Sequence, residues 1–381
     1  MELSSYKLED ISEGFFYGSM PDADDLCDVG YPVFSGYRVV GCSTKYNIKK
    51  RSLAVIARGV GGTGRAFVVE KNTFLTNLSI AIPINEDLAD IDFIMNYLNI
   101  QGLRYLDSGA AQSQITINNL RHHRIFIPTV EIQKRVSNIL LYYDRLVESN
   151  NKRIKVLEQM AENLYKEWFV RFRFPGYENA EFENGIPKGW AYTIVEDLSD
   201  VLQRGISPDY DDEGELTVIS QKCIRQSIMD IKEARKQTKA FKPELNLCDG
   251  DTVICSTGTG TLGRVGQVYG TYPNTTFDSH VTLVRAKPTI GKHFLFWSLK
   301  SMQIWFMNMG IGSTNQQELY RNTIRKAKVL NPDYELMNKF DSVIEPIHQE
   351  IIKLIKSQDN LIKQRDLLLP RLMSGKLEVK M

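Results

Sequence analysis

The chain has 381 residues, enough for about two or three domains that bury cores without metal or disulfide staples. Its 47 basic and 46 acidic residues nearly cancel, which excludes a basic-tail nucleic-acid binder and leaves any such surface to a local patch. Five cysteines without a C-x-x-C spacing read as reduced core thiols of a cytoplasmic protein, the polar start from Met1 to Ser12 predicts no signal peptide, and the absence of any run of about 18 apolar residues predicts no membrane span.

Read from the N-terminus, the chain repeats itself. The strand-like run S-L-A-V-I-A-R at residues 52–58 leads into Gly59-Val60-Gly61-Gly62-Thr63-Gly64-Arg65. Thr252 to Thr257, T-V-I-C-S-T, leads likewise into Gly258-Thr259-Gly260-Thr261-Leu262-Gly263-Arg264. Each loop is followed by two further strand candidates: residues 66–70 and 78–83 in the first half, 265–269 and 280–285 in the second. An apolar-rich helix follows at Asp92 to Tyr105 and again at Lys292 to Met307. Then come a small polar loop, a short strand ending in proline (Pro128, Pro332) and a long helix.

The long helices carry a distinct signature. Ile132, Val136, Ile139, Tyr143, Leu146, then Ile154, Leu157, Ala161, Leu164 and Trp168 step by threes and fours. So do Leu336, Phe340, Val343, Ile347, Ile351 and Leu354, continuing to Leu361, Leu368 and Leu372. This spacing predicts a coiled coil, with Asn150, Gln358 and Arg365 as polar interruptions that fix its register. Pro346 should bend the second helix. Two such helices far apart in sequence pack most economically on each other, antiparallel.

The expectation is therefore an α+β chain: two similar globular domains separated by two long antiparallel coiled-coil helices, with a pseudo-twofold internal repeat. Its divisions are residues 1–128, a first domain; 129–174, the first spacer helix; 175–332, a second domain; and 333–381, the second helix and tail.

Several signals imitate catalytic motifs. Both glycine loops match G-x-G-x-x-G, but a dinucleotide site needs a helix to follow. Arg65-Ala66-Phe67-Val68-Val69 and Arg264-Val265-Gly266-Gln267-Val268 predict a returning strand instead. Asn331-Pro332-Asp333-Tyr334 lacks the second proline of an adenine-methyltransferase loop and reads as a helix start. His348-Gln349-Glu350 has no P-C-x-x-C to complete a zinc site and reads as a solvated stretch of helix. No Walker lysine motif appears, and Pro208-Asp209 reads as a turn.

Binding chemistry remains. Arg58 and Arg65 flank the first glycine loop; Thr257 and Arg264 flank the second. An arginine fork takes a guanine edge or a phosphate in bidentate fashion. Gln112, Ser113 and Gln114 in the first polar loop, and Ser313, Thr314, Asn315 and Gln316 in the second, include amides able to read adenine. Basic residues after the loops, His122, His123 and Arg124, then Arg321, Arg325 and Lys326, suit phosphate contacts. Lys222 and Arg225 complete the candidate DNA-binding set. No catalytic residue and no metal ligand is assigned.

Three stretches carry a family resemblance. L-Y-K-E-W-F-V-R-F-R-F-P-G at residues 164–176 ends the first long helix, I-P-K-G-W at 186–190 opens the second half, and R-D-L-L-L-P-R-L-M-S-G-K-L at 365–377 lies near the C-terminus. Together, in this order, they closely resemble the specificity subunits of Type I restriction–modification systems. The resemblance implies a non-catalytic subunit whose two target-recognition domains each read half of a bipartite duplex DNA site. It implies helices that act as a fixed spacer and as docking surface for two modification (methyltransferase) subunits, with restriction subunits as optional further members. S-adenosylmethionine, ATP and Mg2+ would then serve the partners, and this chain would hold no cofactor. The first domain departs from the pattern by opening with Tyr6-Lys7-Leu8-Glu9-Asp10-Ile11 in place of P-x-G-W. Because the two domains differ strongly in sequence, the DNA site should be asymmetric. The rival readings are a nucleotide-cofactor enzyme, which would bind NAD or S-adenosylmethionine tightly, and a scaffold whose coiled coil assembles partners without reading DNA.

Overall fold

The computed structural model describes residues 2–59, 62–107, 113–225, 227–312 and 317–377. It divides into two compact units, Met1–Glu148 with Gln358–Met381, and Ser149–Ser357. The fold is α+β with an internal repeat, and each unit contains a stretch of both long helices.

In the first unit, strands Phe16–Tyr17, Ser79–Ile82, Ser52–Ile56 and Ala66–Val69 lie side by side in that order, all antiparallel. The two central strands, 52–56 and 79–82, are buried along their whole length, so they read as continuous rather than alternating apolar runs. A second sheet orders Leu26–Cys27, Arg38–Ser43, Tyr31–Ser35 and Phe74–Leu75, with the last pair parallel. Ser4–Lys7 pairs with Arg124–Ile127. Helix Ile91–Gln101 packs Phe93, Ile94 and Leu98 into the core with Leu53, Val55, Ile80, Val136 and Leu372. It ends at Gly102, whose φ of +70° suits glycine, so the predicted helix stops short of Tyr105.

The second unit repeats this plan. Ser199–Arg204, Val281–Ala286, Thr252–Cys255 and Val265–Gln267 form the matching sheet, extended by Ile228–Met229 and Ile224–Arg225. Arg235–Gln237, Leu216–Ile219 and Thr275–Phe277 form the smaller one, again with a parallel last pair. Ala191–Ile194 pairs with Lys328–Asn331. Gly18 and Gly205 occupy equivalent crossings: a Cβ would sit 2.2 Å from the Thr76 carbonyl oxygen in one and the Asp278 carbonyl oxygen in the other.

The first long helix runs Val130–Tyr165 and closes with a π-helical turn, Lys166–Val170. The second runs Tyr334–Met373, uninterrupted at Pro346. Within each unit they are antiparallel, because one index falls as the other rises. In the second unit Asn150 Nδ2 donates to Ser357 Oγ (3.4 Å) and Arg153 pairs with Glu350 (2.9 Å). In the first unit Gln358 Nε2 donates to the Val147 carbonyl (3.4 Å) and Arg365 pairs with Asp144 (2.5 Å). The polar interruptions Asn150, Gln358 and Arg365 thus each find a partner on the facing helix, which is what lets them specify register at modest cost.

The long helices also cap the short ones, by opposite means in the two units. Asp90 caps helix Ile91–Gln101, accepting from Phe93 N at 2.9 Å, and receives a further hydrogen bond from Ser137 on the first long helix. In the second unit Gly291 stands before helix Lys292–Ser301, and Asp341 of the second long helix accepts from His293 N (3.2 Å) and Phe294 N (3.0 Å). A Cβ on Gly291 would meet the Asp341 carboxylate at 2.5 Å. The carboxylate has changed sides, and the orphan donors of the first turn are satisfied either way.

Glu158, on the first long helix, buries an Oε1 that has no hydrogen-bond partner among the described residues. Burial pushes its carboxyl up to about 7, against the opposing pull of Lys300 and a hydrogen bond from Ser227. A group protonated in the folded state but ionised when unfolded contributes stability below its unfolded pKa and loses it as pH rises through the folded value. Glu158→Gln should therefore match the parent near pH 5 and exceed it near pH 8 by about 1–3 kcal/mol. Urea unfolding at the two pH values checks this; a difference that does not change with pH overturns it.

Candidate nucleic-acid interface

In the first unit the backbone folds the glycine loop into a closed hairpin. Gly64 N donates to the Ile56 carbonyl (2.9 Å), Ile56 N to the Arg65 carbonyl (3.0 Å) and Arg65 N to the Gly62 carbonyl (3.1 Å). The second unit reproduces each bond: Gly263 N to Cys255, 2.8 Å; Cys255 N to Arg264, 2.9 Å; Arg264 N to Thr261, 3.0 Å. Both hairpins continue into strands, Ala66–Val69 and Val265–Gln267. A dinucleotide site would instead continue into a helix whose N-terminus meets the phosphate.

The two loop classes picked out in the sequence are brought together. Ile115 N donates to the Ala57 carbonyl (2.9 Å), and Arg58 pairs with Gln114 in an antiparallel bridge. Correspondingly Leu319 N donates to the Ser256 carbonyl (2.8 Å), and Thr257 pairs with Glu318. The end of each polar loop is thereby stitched to the start of the glycine loop. Asp107 holds the first in place, accepting from Ser113 Oγ and, at 2.7 Å, from Gln114 N. Glu318 holds the second through an ion pair with Arg204 and reciprocal backbone bonds to Ile311. Gln112, Ser313, Thr314, Asn315 and Gln316 lie outside the described residues.

The arginines differ between the units. Arg65 lies over the Tyr37 ring (4.5 Å to the centroid), as does Arg38 (5.1 Å), and Arg58 lies over Tyr17 (5.8 Å). All five side chains are exposed. Arg264 is half-buried; its Nη1 donates to the Ile224 carbonyl (2.8 Å) and its Nη2 to the Gly260 carbonyl (2.9 Å). That bond places Lys222 and Arg225, in the segment joining two strands of the second unit, beside the glycine loop; Arg225 is paired with Glu233 at 2.9 Å. Thr257 Oγ1 meets His280 Nδ1 at 2.6 Å. Arg235 lies 3.7 Å over the exposed Tyr210 ring. Arg124 stands on strand Arg124–Ile127, opposite Lys7, and Arg321 opens helix Arg321–Lys326; both are exposed, on elements distinct from the glycine hairpins.

Comparison with known proteins adds to this geometry. Residues 2–159 match the model of the Type I restriction modification DNA specificity domain. The chain is 24% identical over 361 residues to the Type I restriction enzyme MjaIX specificity subunit of Methanocaldococcus jannaschii, covering 88% of this chain and 82% of that one. It is 22% identical over 338 residues to the HindI specificity subunit of Haemophilus influenzae, covering 69% and 71%. The crystal structure of a Type I restriction–modification S subunit from M. genitalium superposes with a TM-score of 0.62 over 98% of this chain and 96% of that one, at 18% identity. Residues 2–159 thus match a Type I DNA specificity domain, and the whole chain shares the fold of an S subunit. The S-subunit fold accounts for the repeat, since its two halves are built on one hydrogen-bond frame.

Two sequence expectations about histidines need correction. His123, read as part of a basic cluster, is buried: its Nδ1 meets Tyr105 Oη (2.7 Å), its Nε2 meets Gln101 Oε1 (3.1 Å), and burial lowers its pKa. A neutral ring held that way offers nothing to a phosphate. Arg325, in the matching cluster, is paired with Glu196. His348, read as solvated, is 1% exposed; its Nε2 contacts Asp249 Oδ1 at 2.7 Å and its ring stacks on Tyr269. Asp249 also binds Lys292 (2.9 Å), which reaches Glu345 (3.0 Å), so this charged cluster joins helix to domain within the second unit. Burial opposes it, but His348 and Lys292 hold the Asp249 carboxyl well below the usual range. The cysteines are free; burial pushes Cys223 up to about 11 and Cys255 up to about 12, as suits inert core thiols.

Sequence reading missed Tyr17, Tyr37 and Arg38. A signal was present in F-S-G-Y-R-V-V at residues 34–40: a glycine between β-prone runs, followed by an aromatic and an arginine. That is hairpin grammar with a binding pair at its tip.

Proposed function

We propose that this chain is the sequence-reading subunit of a Type I DNA methyltransferase or restriction complex. Each unit faces one half of a split, asymmetric site in duplex DNA through its glycine hairpin and adjoining polar loop. The observation that carries this is the duplicated frame. Two copies of one backbone scaffold present unlike side chains at matching places, Arg58 against Thr257 and Gln114 against Glu318. A shared scaffold with divergent tips is what two readers of different sequences need. Two linked readers gain affinity through effective concentration only on DNA of matching half-site spacing.

The chain supplies recognition, and the chemistry belongs to its partners. Two modification subunits would dock on the long helices and carry S-adenosylmethionine; restriction subunits, where they join, would use ATP and Mg2+. The complex would work in the cytoplasm, on the cell's own DNA and on invading DNA. Among the described residues no helix is long and apolar enough to cross a membrane.

The test is methylation mapping. The chain is expressed with the modification subunit encoded beside it, and the host DNA is sequenced for methylated adenine. A split, asymmetric motif with one fixed gap is expected. A palindromic motif would overturn the two-reader assignment, and a stable complex that leaves the DNA unmethylated would favour a scaffold.

A further inference from the structure

We infer that the two halves use the equivalent arginine of the glycine hairpin for different work: Arg65, paired with Arg38 against Tyr37, contacts DNA, whereas Arg264 braces its own loop. This rests on the DNA reading proposed above and assigns residues within it.

The first half of the case is the state of the Arg65 guanidinium. It is exposed, it lies over the ring face of Tyr37, and it makes no hydrogen bond or ion pair among the described residues. Arg38 shares the ring and donates from Nη2 to Tyr37 Oη at 3.1 Å; Arg58 leans on Tyr17 nearby in the chain fold. Three cations thus stand around one hairpin without a carboxylate partner among the described residues. Other arginines are ion-paired, as with Arg51, Arg153, Arg204, Arg285 and Arg365, while Arg121 and Arg235 lie singly over Phe15 and Tyr210. Gathering like charges costs free energy that an anion recovers. The Tyr37 ring holds the Arg65 guanidinium while leaving its edge donors open, so less side-chain entropy remains to be lost on binding. A flat cation presenting a donor fork matches a guanine edge or a phosphate.

The second half is the contrast at Arg264, whose donors turn inward to two carbonyls, those of Ile224 and Gly260. The divergence has a structural origin. In the first unit, strands Tyr31–Ser35 and Arg38–Ser43 are joined by Gly36 and Tyr37 alone, and the tip delivers an aromatic ring. In the second, Leu216–Ile219 and Arg235–Gln237 are joined by residues 220–234, and that longer segment delivers a backbone carbonyl instead.

The experiment uses the full chain in complex with its modification subunit and duplex DNA carrying the mapped motif, with R65A, R38A, Y37F and R264A as variants. R65A should melt with the parent and bind the motif about tenfold more weakly or worse, with relaxed preference confined to one half-site. R38A should follow it in lesser degree, and Y37F, which keeps the ring face, should bind within about twofold of the parent. R264A should lower the melting temperature while the half-site preferences of the folded complex stay as they were. R65A binding as the parent does, or R264A losing affinity at an unchanged melting temperature, overturns the inference. A parent complex with no preference for any motif defeats the DNA reading itself, and is recognised before any variant is compared.

Discussion

Replacing Phe169 with alanine is expected to remove about 3–5 kcal/mol of stability from the unit formed by residues 149–357. Phe169 is 5% exposed and sits among five aromatic rings. Its centroid lies 4.9 Å from Phe294, 5.0 Å from Phe340, 5.4 Å from Tyr165, 5.9 Å from Trp190 and 6.2 Å from Trp168. The contacts with Phe294 and Phe340 are edge-to-face, a geometry that adds to simple burial. The side chain reaches this place because the first long helix widens into a π-helical turn over Lys166–Val170 and then stops at Phe172, held at a φ of +57°. Truncation leaves a cavity walled by large rings that cannot collapse into it, which is the costly case. Phe169→Leu should lose roughly half as much. All four tryptophans (Trp168, Trp190, Trp297 and Trp305) lie in this unit, so their fluorescence during urea unfolding reports on it selectively. A loss below about 1 kcal/mol for the alanine variant would show that the cluster repacks.

That cluster also shows what a sequence can disclose and what it cannot. The stretch L-Y-K-E-W-F-V-R-F and the distant P-K-G-W are legible as motifs, and their aromatic content predicts burial. Nothing in either says that Trp190 packs on Phe169, because such contacts depend on a close approach between elements far apart in the chain. Periodicity located the long helices, since a stripe of apolar residues at threes and fours has few other uses. It also exposed the repeat, because glycine loops tolerate little change where the backbone turns sharply. The exchange of capping roles between Ser137 with Asp90 and Asp341 with Gly291 was not legible; each residue alone looks like an ordinary helix-surface or turn residue. His123 and His348 were misjudged for a related reason. A histidine beside charged neighbours reads as solvated, and only the tertiary fold reveals that Gln101 and Asp249 close over the two rings. At the candidate interface, sequence placed Arg65 and Arg264 on equal terms. The structure separates them by what each guanidinium touches.

Gly263→Ala is expected to cost on the order of 3 kcal/mol or more, well beyond the usual penalty for glycine lost at a left-handed position. Gly263 has a φ of +74°, and a Cβ there would stand 2.5 Å from Met307 N and 2.8 Å from the Phe306 carbonyl carbon. Those are backbone atoms of helix Gln303–Asn308, so relief would require moving the helix or breaking the hairpin bond from Gly263 N to the Cys255 carbonyl. The equivalent Gly64, at φ +88°, meets Arg104 N and the Leu103 carbonyl carbon at 3.1 Å, a contact eased by a shift of a few tenths of an ångström. Gly64→Ala should therefore cost about 1–2 kcal/mol, mainly the conformational term. Gly260, at φ +76° with open space around its Cβ position, should cost only about 1 kcal/mol. The order Gly263, then Gly64, then Gly260 distinguishes two reasons for having glycine here. If the loop existed to let a pyrophosphate approach its backbone, the middle glycine would be the demanding one. If it existed to seat a hairpin against a helix, the last glycine would be. Urea unfolding of the three alanine variants measures the order directly; equal losses would leave only backbone conformation as the cause, and a dominant loss at Gly260 would point to a contact at the loop's centre that the packing does not show.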